Sequence, residues 1–109
     1  MNKWIGMGRL TRDPEIRYTK GSNAFPVADY TLAVDRRMLS DGVQQTDYIP
    51  CTAYGKLAEF AEKYLHKGNK IAVVGRIRTD SWDGEDGKKK YKTSVIVDEH
   101  YFAEKAKQD

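Results

Sequence analysis

Aromatic and basic side chains cluster in and around residues 46–65, a segment that reads as a strand running directly into an amphipathic helix. Successive side chains of a strand point to opposite faces. Tyr48 and Tyr54 therefore share one face, and the small residues Cys51 and Ala53 share the other. The small residues form the natural core face, which leaves two tyrosine rings facing solvent. Exposed rings close to lysines and arginines have the chemistry to stack unpaired bases and hold phosphates.

A purely structural interpretation of the same rings stays open. Tyrosine is simply a good strand residue, and a tyrosine such as Tyr48 can also bridge subunits. Trp82 is a further stacking candidate, because Ser81 and Asp83 flank it, whereas a core tryptophan usually has apolar neighbours. Local packing against the domain is the alternative for Trp82.

Length and composition bound the possibilities. A chain of 109 residues, 39% hydrophobic and 32% charged, is an ordinary globular sequence with room for one domain. No apolar run approaches the roughly 18 residues of a membrane span, and the N-terminus lacks the apolar core of a signal peptide. The single cysteine, Cys51, excludes an internal disulfide and a thiolate zinc cluster, which fits a reducing cytosol. We interpret it as a small buried hydrophobe.

Charge is distributed unevenly along the chain. The net charge of +3 is mild, but residues 1–40 carry seven basic and four acidic side chains, and residues 67–93 carry eight and four. A compact fold can bring these two basic blocks together. The histidines, His66 and His100, are isolated from any nucleophile, and no glycine loop of the phosphate-cradling kind is present. We therefore predict that the protein is not an enzyme.

Hydrophobic periodicity predicts three strands, one helix and two further strands, at residues 3–10, 27–36, 46–54, 56–65, 70–79 and 91–97. Short strands in the order β-β-β-α-β-β predict an all-β fold with one helix. A small closed barrel removes the exposed strand edges, and the five-stranded OB-fold barrel has this order. Residues 80–90 are expected to form a loop that buries little except Trp82.

Alternation within these strands also predicts the directions of individual side chains. Arg76 and Arg78 should point outward together, with Ile77 inward. Gly6 and Gly8 share one face of the first strand, which indicates sharp coiling or the close approach of another backbone. Trp4 lies on that same face, and we expect it to be buried.

Six segments between residue 2 and about residue 102 match one known pattern in order: NK at 2–3, GRLTRDPEIRY at 8–18, YTLAV at 30–34, YGKLAE at 54–59, YLHKG at 64–68 and VGRIRT at 74–79. In these segments the chain resembles the bacterial-type single-stranded DNA-binding proteins. The resemblance implies an OB-fold homotetramer that binds single-stranded DNA with little sequence preference and protects it during replication, recombination or repair. It also implies no cofactor, no metal, no membrane partner, and a cytoplasmic location at the nucleoid.

The resemblance assigns base stacking to Tyr48, Tyr54 and Trp82. Met38 falls where many members have another aromatic residue, although a thioether can also pack against a base. Phosphate contacts are expected from Lys3, Arg17, Arg36, Lys56, Arg76 and Arg78. Asp80 and Ser81 occupy positions that are often basic in relatives, so we expect a lower affinity or a shallower salt dependence than is typical.

We expect residues 1–104 to form the DNA-binding domain and residues 105–109 a short end without the acidic tip that the family commonly carries. Either such a tail has been removed or the chain is naturally tail-less, and we predict no tail-mediated partners. Two other functions remain open. One is an accessory OB-fold protein of DNA uptake or primosome assembly, and the other is a structural interaction barrel whose aromatic residues form a subunit interface.

Overall fold

The computed structural model of the protein describes residues 1–37, 42 and 44–104. Met38 and the short C-terminal end at 105–109 lie outside the described residues. Seven elements follow in chain order: β1 (Trp4–Leu10), β2 (Glu15–Tyr18), β3 (Pro26–Asp35), β4 (Thr46–Tyr54), α1 (Lys56–Tyr64), β5 (Lys70–Asp83) and β6 (Lys89–Phe102). The predicted order is confirmed, with β2 as an additional short strand.

The strands close into a barrel. They are hydrogen-bonded in the order β1-β5-β6-β4-β3-β2, and β1 also pairs with β3 at Arg9 and Leu10. That last pairing completes a ring of five strands, and β2 lies outside the ring as a partner of β3 alone. The five-stranded barrel predicted from the sequence is therefore confirmed.

Glycines allow the backbones to approach closely at the closure points. A Cβ atom at Gly8 would collide with the carbonyl oxygen of Ala33, where β1 meets β3. A Cβ atom at Gly75 would meet the carbonyl oxygen of Ile96, next to the register shift between β5 and β6. At Gly6 the obstacle is the ring of Trp4, which was expected to be buried and is half-buried against the core.

The core fills the barrel interior and is closed at one end by the helix. Leu32, Ile71, Val73 and Val95 are almost completely buried, and α1 adds Ala58, Ala61 and other small or aliphatic side chains. The helix is amphipathic, as its sequence predicts, and its apolar side packs mainly against β3. Among the described residues, no helix has the length and apolar character needed to cross a membrane.

Beyond the core, β5 and β6 continue as a projecting hairpin, termed here the hairpin arm (residues 77–83 of β5 and 89–93 of β6). Trp82 pairs with Lys90 within this arm, so the prediction of a loop over residues 80–90 is wrong except at 84–88. Ile77 was expected to point into the core but is 37% exposed, because the arm leaves the barrel directly after Gly75.

Candidate nucleic-acid interface

Strand pairing brings residues of β2, β3 and β4 onto one outer face of the barrel. Tyr48, Thr52 and Tyr54 alternate along β4, and Asp29 of β3 lies opposite Thr52. In the neighbouring strand, β2, the penultimate residue Arg17 also lies on this face. Arg17 pairs with Val27, which is two positions before Asp29 in β3. These side chains therefore share one surface.

The same surface continues across β6 onto β5. Thr52 of β4 pairs with Ile96 of β6, which pairs in turn with Arg76 of β5. Every second residue of β5 then follows on this side as far as Trp82. We term the whole surface the aromatic face; its main members are Arg17, Asp29, Tyr48, Thr52, Tyr54, Arg76, Arg78, Asp80, Trp82, Lys90 and Lys92.

The aromatic rings of this face are accessible. Tyr48 is 66% exposed and Trp82 is 50% exposed, whereas Tyr54 is half-buried. The ring of Phe25 lies 6.4 Å from that of Tyr54, at 59° between the planes. The uncharged residues Thr52 and Ser94 are buried beneath these groups, so the rings and the charged ends form the solvent-facing layer.

Arg78 is held beside the ring of Tyr54. Its Nη1 donates a hydrogen bond to the Tyr54 hydroxyl at 2.9 Å, and its guanidinium carbon lies 5.8 Å from the ring centroid. Its Nε donates to Asp80 at 3.2 Å. These partners raise the pKa of Arg78, the hydrogen bond with Tyr54 most of all. A fixed positive charge thus borders one stacking platform.

Arg17 forms a second fixed cation on the other side of Tyr54. Its Nε donates to Asp29 at 2.8 Å, and the other oxygen of Asp29 accepts the Thr52 hydroxyl at 2.9 Å. The hydrogen bond with Asp29 is the main reason that the pKa of Arg17 is raised, and Tyr54 and Arg78 also act on this charge. Arg17, Tyr54 and Arg78 therefore form one cluster.

A concavity lies on the aromatic face between the two tyrosine positions of β4. Its volume is about 110 Å³, and its lining combines the cations Arg12 and Lys92 with uncharged residues and with the carboxylates Asp13, Glu15 and Asp29. The concavity is therefore mixed in charge, and it offers two cations as donors to a phosphate.

Arg76 and Lys3 lie towards the barrel end of the face. Arg76 donates from Nη1 to Asp98 at 2.7 Å. The side-chain amide of Asn2 exchanges two hydrogen bonds with the backbone of Ile77, which keeps the exposed Lys3 beside this part of β5. Lys56 is exposed at the first position of α1, two residues after Tyr54.

Arg36 lies elsewhere. Its Nε and Nη2 donate to both oxygens of Asp47, at 2.7 to 3.0 Å. Asp47 pairs with Val34, whose side chain packs against the core, so this ion pair lies on the opposite side of β3 and β4 from Tyr48. The structure does not bring Arg36 onto the aromatic face, and the position of Met38 falls outside the described residues.

Three members of the neighbourhood were missed by sequence reasoning: Phe25, Asp29 and Lys92. Alternation along β3 does place Asp29 outward, but its partner Arg17 belongs to β2, a strand that the sequence did not predict. Phe25 precedes β3 in an irregular segment, so no periodicity marks it. Lys92 falls inside the predicted strand at 91–97, but its partner across the hairpin, Asp80, lies in the segment that was expected to be a loop, so nothing in the sequence placed Lys92 on this face.

The chemistry available on this face is binding. Tyr and Trp rings offer flat contact surfaces, and arginine and lysine offer donors for phosphate oxygens.

Burial raises the pKa of the Cys51 thiol to about 12, so this side chain is a protonated core group. In the described parts of the chain, no group of three or more His, Cys, Asp or Glu side chains has a metal-binding arrangement.

Comparison with known proteins agrees with this geometry. The sequence model of the Single-strand binding protein family matches residues 1–103. The chain belongs to this family. Single-stranded DNA-binding protein 3 of Clostridium acetobutylicum is 45% identical over 95% of this chain and 72% of its own length. The single-stranded DNA-binding proteins of Clostridium tetani and Clostridium perfringens are 43% and 44% identical, over 95% and 94% of this chain and 71% and 65% of their own lengths.

Membership of the single-strand binding protein family confirms the resemblance predicted from the sequence. It also gives the closed barrel with one helix its name, the OB-fold. The family is one of binding proteins, as its relatives' names state, so the prediction that the chain is not an enzyme is confirmed as well.

Proposed function

We propose that this protein binds single-stranded DNA with little sequence preference and protects it during replication, recombination or repair. The observation that carries this proposal is the aromatic face, where exposed rings and arginines share one surface. Relatives with more than 40% identity that are named for single-stranded DNA binding support it. The site of action is then the cytoplasm, at the nucleoid.

Binding proceeds by electrostatic capture and by stacking. Arginine and lysine replace the counterions that surround the phosphates, so affinity falls as the salt concentration rises. Tyr48, Tyr54 and Trp82 then receive unpaired bases. In single-strand binding OB-folds in general, this family included, each stacked base contributes about 1–3 kcal/mol and every base has a π-face to offer. Duplex DNA competes poorly, because its bases are already stacked and paired.

The lysines and arginines proposed to contact phosphate lie in different parts of the surface. Arg17 and Arg78 flank Tyr54, and Arg76 and Lys3 extend the path along β5. Lys56 borders the path at the start of α1. Arg36 lies off the aromatic face, so it contacts the DNA only where the DNA extends around the edge of the barrel. Met38 stays a predicted packing contact for a base, outside the described residues.

The test is a titration of tryptophan fluorescence with oligo(dT) at two salt concentrations, with a duplex of equal length as the comparison. We expect oligo(dT) to quench the fluorescence and to bind more weakly at the higher salt concentration. In a Trp82→Phe variant the quenching should largely vanish, because the remaining Trp4 packs against the core. Failure of oligo(dT) to bind, or equal binding of the duplex, would contradict the proposed function.

Assembly as a homotetramer belongs to the same proposal. Ile5 and Met7 of β1 are 69% and 50% exposed, and Tyr101 of β6 is 52% exposed. Ala72 of β5 lies between Met7 and Tyr101 in register, so these residues form a continuous apolar strip. In addition, within the described parts of the chain β1 pairs with β3 only at its last two residues, which leaves most of that strand edge without a described partner. An exposed apolar surface beside an open edge favours association with further copies.

A further inference from the structure

Each of the four arginines predicted to contact phosphate already has an aspartate partner. The ion pairs are Arg17 with Asp29 at 2.8 Å, Arg36 with Asp47 at 2.7 Å, Arg76 with Asp98 at 2.7 Å and Arg78 with Asp80 at 3.2 Å. A phosphate oxygen therefore meets a guanidinium that is engaged by a carboxylate of the same chain. Phosphate binding therefore requires either that the arginine contacts the phosphate and the aspartate at once or that the phosphate replaces the aspartate.

Asp80 is the aspartate best placed for exchange. In the described part of the chain, its side chain has Arg78 as its hydrogen-bond partner and is about half exposed, at 47%. Asp29 differs, because its second oxygen is tied to the hydroxyl of Thr52, which is only 4% exposed. Asp29 therefore acts as a support for Arg17, whereas Asp80 is free to move away from Arg78 without breaking another described contact.

Arg78 is also the arginine most closely linked to a stacking ring. Its Nη1 is bonded to the hydroxyl of Tyr54, and its Nε faces Asp80. A nucleotide whose base stacks on Tyr54 brings its own phosphate to the edge of that ring. The phosphate can then take the Nε position from Asp80 while the hydrogen bond to Tyr54 persists.

We propose that Asp80 is an affinity-determining residue that competes with the phosphate of the strand for Arg78. This inference rests on the proposed function, since it concerns the same surface. Capture at this position exchanges a carboxylate for a phosphate, and the released carboxylate regains its own counterion. The net release of counterions at Arg78 is therefore small, which weakens binding and flattens its salt dependence.

The test compares Asp80→Asn with Asp83→Asn. Both substitutions remove one negative charge from the same strand, but Asp83 lies on the opposite face of β5 from Asp80. We expect Asp80→Asn to raise the affinity for oligo(dT) about two- to five-fold more than Asp83→Asn, the range for an exposed ion pair. The slope of log affinity against log salt should steepen by up to about 0.7 for Asp80→Asn only.

A second pair of variants isolates the contact. In an Arg78→Ala background, the advantage of Asp80→Asn over Asp83→Asn should shrink to the small part that Lys92, which pairs with Asp80, can supply, because no guanidinium remains to be released. Equal effects in the wild-type background would overturn the inference, and so would a gain from Asp80→Asn that is undiminished without Arg78. Absence of oligo(dT) binding by the wild-type protein would instead refute the proposed function itself, so the two failures are distinguishable.

Discussion

At the scale of single residues, β4 shows how one strand serves both the core and the aromatic face. Cys51 and Ala53 are 1% and 0% exposed, whereas Tyr48, on the alternate positions, is 66% exposed. Burial raises the pKa of the Cys51 thiol to about 12, because the thiolate would lose its hydration. The thiolate is the reactive form of cysteine, so Cys51 is chemically inert while the barrel is folded.

This inertness is measurable with a thiol reagent such as DTNB. The native protein should react only as fast as it unfolds, and the reaction should accelerate steeply as urea is added. The increase should follow the unfolding transition seen by circular dichroism. Reaction of the native protein at the rate of a small free thiol, without urea, would contradict the burial of Cys51.

The outward placement of individual rings was predictable from sequence, but the ionic partners of the neighbouring arginines were not. Alternation alone places Tyr48 and Tyr54 outward. The partner of Arg17 is instead set by the pairing of β2 with β3, and the partner of Arg76 lies across the register shift between β5 and β6. Such pairs depend on tertiary register, which no local pattern in the sequence encodes.

At the scale of elements, His100 connects β6 to β3 and α1. Its Nε2 is 2.7 Å from the hydroxyl of Tyr30, and its ring stacks on Phe60 at 5.4 Å between centroids. The Nδ1 atom is buried and has no hydrogen-bond partner among the residues that the structure describes. Burial lowers the pKa of His100 from 6.5 to about 4, so the folded protein holds a neutral imidazole at this junction.

The pH dependence of stability follows from this junction. Between pH 6.5 and about 4, the unfolded chain binds a proton at His100 that the folded chain does not. The free energy of unfolding should therefore fall as the pH decreases through this window. Urea denaturation of wild-type protein and His100→Gln at several pH values measures the difference, which should shrink towards pH 4 as the wild type loses its advantage.

His66→Gln is the matched control, because His66 is exposed just after α1. Its stability should follow that of the wild type at every pH. A His100→Gln profile parallel to the wild-type profile would show that the imidazole does not resist protonation in the folded state.

One element, β2, and the outer part of the hairpin arm (residues 80–83 and 89–90) escaped prediction for different physical reasons. The four residues of β2 bury little, and the strand exists through its pairing with β3. The hairpin arm is polar and exposed on both sides, so it lacks the apolar alternation that marks a half-buried strand. The five barrel strands and the helix, by contrast, each bury an apolar face, and periodicity located all of them.

At the scale of the whole molecule, the barrel presents two separate surfaces. The aromatic face extends over β2, β3, β4 and the hairpin arm, whereas the apolar strip lies on β1 and the adjoining parts of β5 and β6. The first is rich in ion pairs, and the second exposes aliphatic side chains. We expect DNA binding on the first and self-association on the second.

The assembly proposal predicts that Met7→Glu shifts the protein to smaller species in sedimentation velocity, because a carboxylate would be buried in the interface. Tyr18→Glu is the control: Tyr18 is 62% exposed on β2, away from the apolar strip. It should sediment like the wild type. A Met7→Glu protein that retains the wild-type assembly would exclude the strip as the contact between copies.

The central claim, that exposed rings on one face hold the bases, is tested most directly by comparing Trp82→Ala with Tyr91→Ala. Both rings lie on the hairpin arm and are 50% and 74% exposed, but Tyr91 pairs with Ser81 and so points to the opposite side. Affinity for labelled oligo(dT), measured by fluorescence polarisation, should fall by about 1–3 kcal/mol for Trp82→Ala. It should stay within about 0.5 kcal/mol of wild type for Tyr91→Ala. Equal losses, or a Trp82→Ala protein that binds like the wild type, would contradict the account.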